Sequence, residues 1–66
     1  MPDKKLIGDR LRALRGRRSR ATVADALGVT RMAVSLWERG LRIPRDEMKQ
    51  RIADFYKKSV SSIFYK

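Results

Sequence analysis

Cysteine and histidine are both missing from this chain of 66 residues. No disulfide can therefore staple the fold, and the usual Cys/His zinc site cannot form. Because the sequence also offers no paired carboxylates in a plausible cleft for acid–base chemistry, we expect no catalytic residues, no metal and no cofactor, and hence no enzyme. No run approaches the roughly 18 apolar residues of a membrane span. We expect neither a membrane partner nor a small-molecule ligand.

The length allows one domain, residues 1–66, with a core of about a dozen side chains. The segment Met1–Lys5 carries charges with no apolar run behind them, so it lacks the pattern of a secretory signal. We therefore expect the protein to remain in the cytoplasm.

Positive charge dominates the composition, with 17 Lys and Arg against 7 Asp and Glu and a formal net charge of +10. Between Arg10 and Arg45 the chain has ten arginines and no lysine, opposed only by Asp25 and Glu38. A concentrated positive field attracts polyanions, and nucleic acid is the commonest of these in cells. Charge alone leaves open a basic surface that is merely solvated.

Apolar residues at helical spacing, together with capping residues, predict an all-α domain of five short helices without strands. Ile7, Leu11 and Leu14 lie on one face of the first helix, which Gly16 ends. The predicted helices cover residues 4–15, 20–27, 31–39, 46–57 and 60–64.

The second and third predicted helices have the features of a tight helix-turn-helix. Ser19 and Thr30 can cap the two helices. Ala24 is small enough for the helices to approach closely, and Val29 can fill the angle between them. Gly28 can adopt the left-handed conformation that ends the first of the pair.

The sequence SRATVADALGVT at residues 19–30, followed by VSLWERG at 34–40, resembles the Cro/Xre-type helix-turn-helix regulators. The likeness extends over about residues 6–64. It implies a phage-repressor-like domain of a bacterial or phage transcription regulator, a repressor or Cro-like switch. Such a protein binds a palindromic operator in double-stranded DNA, usually as a homodimer, and works at the nucleoid in the bacterial cytoplasm.

The base-reading positions of this family fall on Arg31, Met32 and Leu36, with Ser35 beside them. We expect this third helix to enter the major groove, where base edges can be distinguished. Arg31 suits guanine, and the two apolar side chains suit thymine methyl groups. Either apolar residue could instead belong to the core, and Trp37 is expected in the core rather than on a base.

Six residues are expected to contact phosphates, by position in the family or by charge: Ser19, Arg20, Thr30, Arg39, Arg42 and Arg45. The two hydroxyls lie at helix N-termini, where they can grip a phosphate or serve only as caps. The family position of Arg45 sometimes approaches the minor groove. Each arginine could instead be simply solvated.

The sequence departs from the family at the start of the second helix, where Arg20 replaces the usual Gln. Ala21 and Thr22 stand where Glu residues are usual, which makes this surface more positive. The resemblance also implies a partly buried ion pair between Arg15 and Glu38, so that Glu38 is a structural partner rather than a catalytic acid.

The C-terminal end is apolar, and in similar regulators it carries the dimer contact. We expect Ile63 to close the core, and Val60, Phe64 and Tyr65 to form the dimer interface. The alternative is that Ile63 and Phe64 both close the core of the single chain.

Two other functions remain as alternatives. A small basic RNA-binding protein would need exposed aromatic side chains to stack unpaired bases. An antitoxin-like module would bind a protein partner and contact DNA only secondarily.

Overall fold

The computed structural model describes residues 3–66, which form helices and turns and contain no strand. The five elements are α1 (Lys4–Arg15), α2 (Arg20–Leu27), α3 (Arg31–Glu38), α4 (Asp46–Tyr56) and α5 (Ser61–Tyr65), the last a single π-helical turn. The predicted all-α fold is confirmed. Met1 and Pro2, the first residues of the segment considered as a signal, lie outside the described residues. None of the described helices has the length and apolar character needed to cross a membrane.

Side-chain caps fix the starts of the first three helices. The Asp3 carboxylate accepts a hydrogen bond from the Leu6 N–H at 2.8 Å. Ser19 and Thr30 accept from the backbone N–H groups three residues ahead, at 3.0 and 3.1 Å, as predicted. Gly28 ends α2 with φ of 71° in the left-handed region, a conformation that favours glycine.

The last elements differ from the prediction by a residue or two. The third helix ends at Glu38 rather than residue 39, and the fourth ends at Tyr56, because Lys57 adopts a left-handed φ of 58°. The final turn covers Ser61–Tyr65 instead of residues 60–64. Its carbonyl groups turn toward α1, where Arg10 Nη1 donates to the Ile63 oxygen at 3.0 Å.

The helix pair α2 and α3 is held by packing on both sides. The two helices pack against each other, α3 also packs against α1, and α2 also packs against α4. Trp37 is 6% exposed and belongs to the core, as predicted. The other buried apolar residues are Ile7, Leu11, Val23, Ala24, Leu27, Val34, Ile52, Ala53, Ile63 and Phe64.

Gly8 allows the closest approach between two helices. A Cβ atom at this position would lie 2.5 Å from the carbonyl oxygen of Glu38 and 2.8 Å from that of Trp37. The backbone of α1 therefore lies directly against the last turn of α3, and no larger residue fits without separating them.

The predicted dimer role of Phe64 is wrong. Its side chain is fully buried in the single chain, where it closes the core together with Ile63. Lys49 covers this region, since its Nζ lies 5.7 Å from the centre of the Phe64 ring and 4.9 Å from that of Tyr65. The periodicity of the last turn could not reveal this, because a π-helical turn directs its side chains differently from an α-helix.

Candidate nucleic-acid interface

Burial divides α3 into an inner and an outer face. Val34, Trp37 and Glu38 are buried. Met32 is 62% exposed, which places it on the surface as expected. Leu36 is half-buried, which lies between the two positions that the sequence left open for it, the DNA-facing surface and the core.

An open groove runs between α2 and α3 and gathers most of the predicted contact residues. Its lining, here called the α2–α3 groove, consists of Arg15, Ser19, Arg20, Ala21, Arg31, Met32, Ser35 and Arg39. Every charged side chain that lines it within residues 3–66 is an arginine. The groove therefore combines hydrogen-bond donors from four guanidinium groups with an apolar side chain and two hydroxyls, a donor set suited to phosphates and base edges.

Glu38 lies behind this groove and binds two of its arginines. Its carboxylate is 1% exposed. It accepts hydrogen bonds from Arg15 Nε at 2.7 Å and Nη2 at 3.0 Å, which is the ion pair that the family resemblance implied. It also accepts one from Arg20 Nε at 3.2 Å. This second contact was not predicted, because the family residue at position 20 carries no charge.

The ion pair acts on the protonation of Arg15. Its hydrogen bond to Glu38 raises the pKa of Arg15 above the ordinary arginine value, so the charge of this side chain is present at every relevant pH. Arg15 also donates from Nη1 to the carbonyl oxygen of Arg18 at 2.8 Å. Because Arg18 in turn packs over the rings of Phe55 and Tyr56, the short connection between α1 and α2 is anchored to α4.

Arg42 and Arg45 lie apart from the α2–α3 groove. They border a second groove, the α3–α4 groove, whose other lining residues are Val29, Ala33, Trp37, Ile43, Pro44 and Met48. Both arginines are exposed. They therefore flank α3 on the side opposite to Arg20 and Arg31, so that cations border both edges of the helix.

The two predicted hydroxyl contacts are already engaged as helix caps. The Ser19 oxygen accepts from the Thr22 N–H and lies 2.9 Å from the Thr22 hydroxyl. Thr30 lies at the start of α3, outside the lining of either groove. A capping oxygen is an acceptor in the cap and can still donate its hydrogen to an anion.

The remaining apolar surface at the C-terminus is small. Tyr65 is 47% exposed and Val60 is half-buried. The Tyr65 hydroxyl lies 3.0 Å from Lys49 Nζ, and this hydrogen bond raises the pKa of Lys49 despite the burial that lowers it.

Sequence reasoning missed the roles of three residues, of which the first two shape the interface and the third belongs to the C-terminal end. Gly8 sets the distance between α1 and α3, yet a glycine inside a helical pattern gives no sign of its contact. Arg15 was expected only as an ion-pair partner but also lines the α2–α3 groove. Lys49 is 7% exposed, although a lysine in an amphipathic helix is normally assigned to the solvent face.

Comparison with known proteins agrees with this geometry. Residues 6–60 match the family described as helix-turn-helix domain. Comparisons with curated proteins and with solved structures find no match. Since the matched segment includes most of α1, all of α2 to α4 and the whole α2–α3 groove, the match and the geometry point to DNA binding, with transcription regulation as its usual purpose. The chain belongs to the helix-turn-helix domain family.

Proposed function

We propose that this protein is a sequence-specific transcription regulator of the Cro/Xre type, which binds double-stranded DNA with α3 in the major groove. The observation that carries the proposal is the convergence of Arg20, Arg31 and Arg39 with Met32 and Ser35 on one groove. An α-helix with its side chains is about 10–12 Å across, which fits a major groove about 12 Å wide.

Base reading is assigned to the outer face of α3. Arg31 binds the O6 and N7 atoms of a guanine, while Met32 and Leu36 contact thymine methyl groups and Ser35 adds an adaptable hydroxyl. The exposure of Met32 supports this assignment, since a side chain that is 62% exposed is free to contact a base.

Phosphate contacts are assigned to both sides of the reading helix. On the α2 side these are Ser19, Arg20 and Arg39, with Thr30 at the start of α3. On the α4 side, Arg42 and Arg45 reach the other strand, and Arg45 lies next to the minor groove. Such contacts fix the register of the protein on the duplex but do not discriminate sequence.

A homodimer on a palindromic operator completes the proposal. Residues 3–66 extend over 27 Å along their longest axis, and successive major-groove faces of a duplex are about 34 Å apart. One copy therefore contacts a single half-site, and two neighbouring copies are needed for strong sequence discrimination. Tyr65 and Val60 are the side chains proposed for the contact between copies. A protein of this kind, acting as a repressor or Cro-like switch, works in the cytoplasm as one domain of residues 1–66.

An RNA-binding function has less support from the surface. Sequence-specific RNA recognition uses exposed aromatic rings to stack unpaired bases. Trp37 is buried, and Tyr65 lies at the C-terminal end away from both grooves. An antitoxin-like role is supported by no specific feature of the described residues.

Selection of binding sites from a pool of random duplexes tests the proposal. We expect enrichment of inverted repeats whose half-sites contain a guanine next to thymines. Recovery of single, unrepeated sites would contradict the dimer, and no enrichment at all would contradict sequence reading. An unlabelled RNA pool that displaced the protein better than the duplex pool would favour the RNA-binding alternative.

A further inference from the structure

One buried carboxylate holds two arginines that come from different helices. Glu38, at the end of α3, pairs with Arg15 at the end of α1 through two hydrogen bonds of 2.7 and 3.0 Å. The same carboxylate receives the Nε group of Arg20, at the start of α2, at 3.2 Å. The cluster therefore connects three helices and keeps one net positive charge.

The two arginines differ in what they leave available. The Arg15 side chain is 16% exposed and also donates to a backbone carbonyl. The Arg20 side chain is 40% exposed and lines the α2–α3 groove. Its two terminal nitrogens, Nη1 and Nη2, form no hydrogen bond with any other residue from 3 to 66. Because a guanidinium is planar, fixing its Nε atom also fixes the edge formed by these nitrogens.

We infer that Glu38 is a positioning residue for DNA binding, which holds Arg20 so that its terminal nitrogens form a fork for one backbone phosphate. The inference rests on the proposed function. A fork that is ordered before binding loses little side-chain entropy when the phosphate arrives, and two parallel charge-assisted hydrogen bonds fix its orientation. Glu38 itself is buried and touches no DNA.

Simple electrostatics and positioning make opposite predictions for Glu38→Gln. Removing a negative charge near an anionic duplex should by itself strengthen binding and steepen its salt dependence. If Glu38 positions Arg20, the same substitution releases the fork, so binding weakens and the salt dependence becomes shallower.

The test compares wild type, Arg20→Gln, Glu38→Gln and the double variant on a duplex obtained by site selection. Affinity is measured by fluorescence anisotropy over a series of salt concentrations, and folding is checked by circular dichroism. We expect each single variant to lose about tenfold in affinity and about one unit of salt slope. The double variant should lose little more than either one, because both act on the same contact. Tighter binding by Glu38→Gln, or losses that add, would overturn the inference.

If Glu38→Gln does not fold, Arg20→Lys still tests the inference. This variant keeps the ion pair between Arg15 and Glu38, so we expect it to fold. Lysine has one nitrogen in place of the anchored Nε and the free fork. We expect Arg20→Lys to bind nearly as weakly as Arg20→Gln, whereas wild-type affinity would show that charge alone suffices. If the wild-type protein enriches no duplex, the proposed function fails; if it binds but these variants behave as wild type, only the positioning role fails.

Discussion

At the scale of single residues, the fold depends on positions where the side chain is very small or unusually well paired. Gly8 lets the backbone of α1 lie against the last turn of α3. In that same turn, the buried carboxylate of Glu38 accepts hydrogen bonds from Arg15 and Arg20. No buried side-chain nitrogen or oxygen among the described residues lacks a hydrogen bond, so the polar cluster beneath the reading helix is complete.

Gly8→Ala tests the close approach of α1 and α3 by the sign of its effect. Helix propensity alone predicts that alanine stabilises the protein by about 1 kcal/mol. The added Cβ would meet two backbone carbonyls at 2.5 and 2.8 Å, so we expect destabilisation by about 1–3 kcal/mol. Urea unfolding followed by Trp37 fluorescence measures the difference. The exposed Asp9→Ala on the same helix serves as the control and should change stability by less than about 0.5 kcal/mol. A more stable Gly8→Ala would show that the helices separate at no cost.

Arg31→Ala tests base reading. Loss of a bidentate contact to guanine should remove about 1–3 kcal/mol of discrimination at one position of each half-site. Repeating the site selection with the variant should therefore give the same operator with that position relaxed. An unchanged consensus with uniformly weaker binding would instead make Arg31 a phosphate contact.

At the scale of helices, local signals predicted the start of each element better than its contacts. Ser19, Thr30 and Gly28 act within three residues of their own positions, so the sequence reveals the bounds of α2 and the start of α3 directly. The burial of Lys49 and Phe64 depends instead on how α5 packs against α1 and against the side chain of Lys49, which no local pattern encodes. In the candidate site, too, local features could be predicted from the sequence whereas contacts between distant residues could not. The outer face of α3 follows from its periodicity, but the contact between Arg20 and Glu38 joins residues 18 positions apart.

Arg42→Ala tests the role of the connection between α3 and α4. This exposed side chain borders the α3–α4 groove, on the other edge of the reading helix from Arg20. We expect the variant to bind every duplex more weakly by a similar factor and to reduce the salt slope by about one unit. Lys58→Ala removes the same charge from a groove that α3 does not line, and it should leave the slope nearly unchanged. Equal slopes for Arg42→Ala and wild type would exclude Arg42 from the phosphate contacts.

At the scale of the whole molecule, positive charge is distributed unevenly and is concentrated in arginines around α3. Arginines border both edges of α3, and the Glu38 carboxylate behind the α2–α3 groove is buried against Arg15 and Arg20. This asymmetry orients the protein as it approaches a duplex, which speeds association at low salt. It also makes affinity fall steeply with added salt, through release of condensed counterions.

Alkaline pH should destabilise the whole fold through two groups on α4. The hydrogen bond to Tyr65 raises the pKa of Lys49, and burial raises the pKa of Tyr56. A pKa that is higher in the folded state contributes stability that is complete below the unfolded value and is lost as the pH rises through the folded one. These groups therefore predict constant stability up to about pH 9 and a decline above about pH 10. Thermal unfolding followed by circular dichroism at stepped pH measures the decline. Tyr56→Phe and Lys49→Met each remove one titrating group, so the double variant should show a flatter curve. A decline that is equally steep in this variant would assign the alkaline unfolding to other groups.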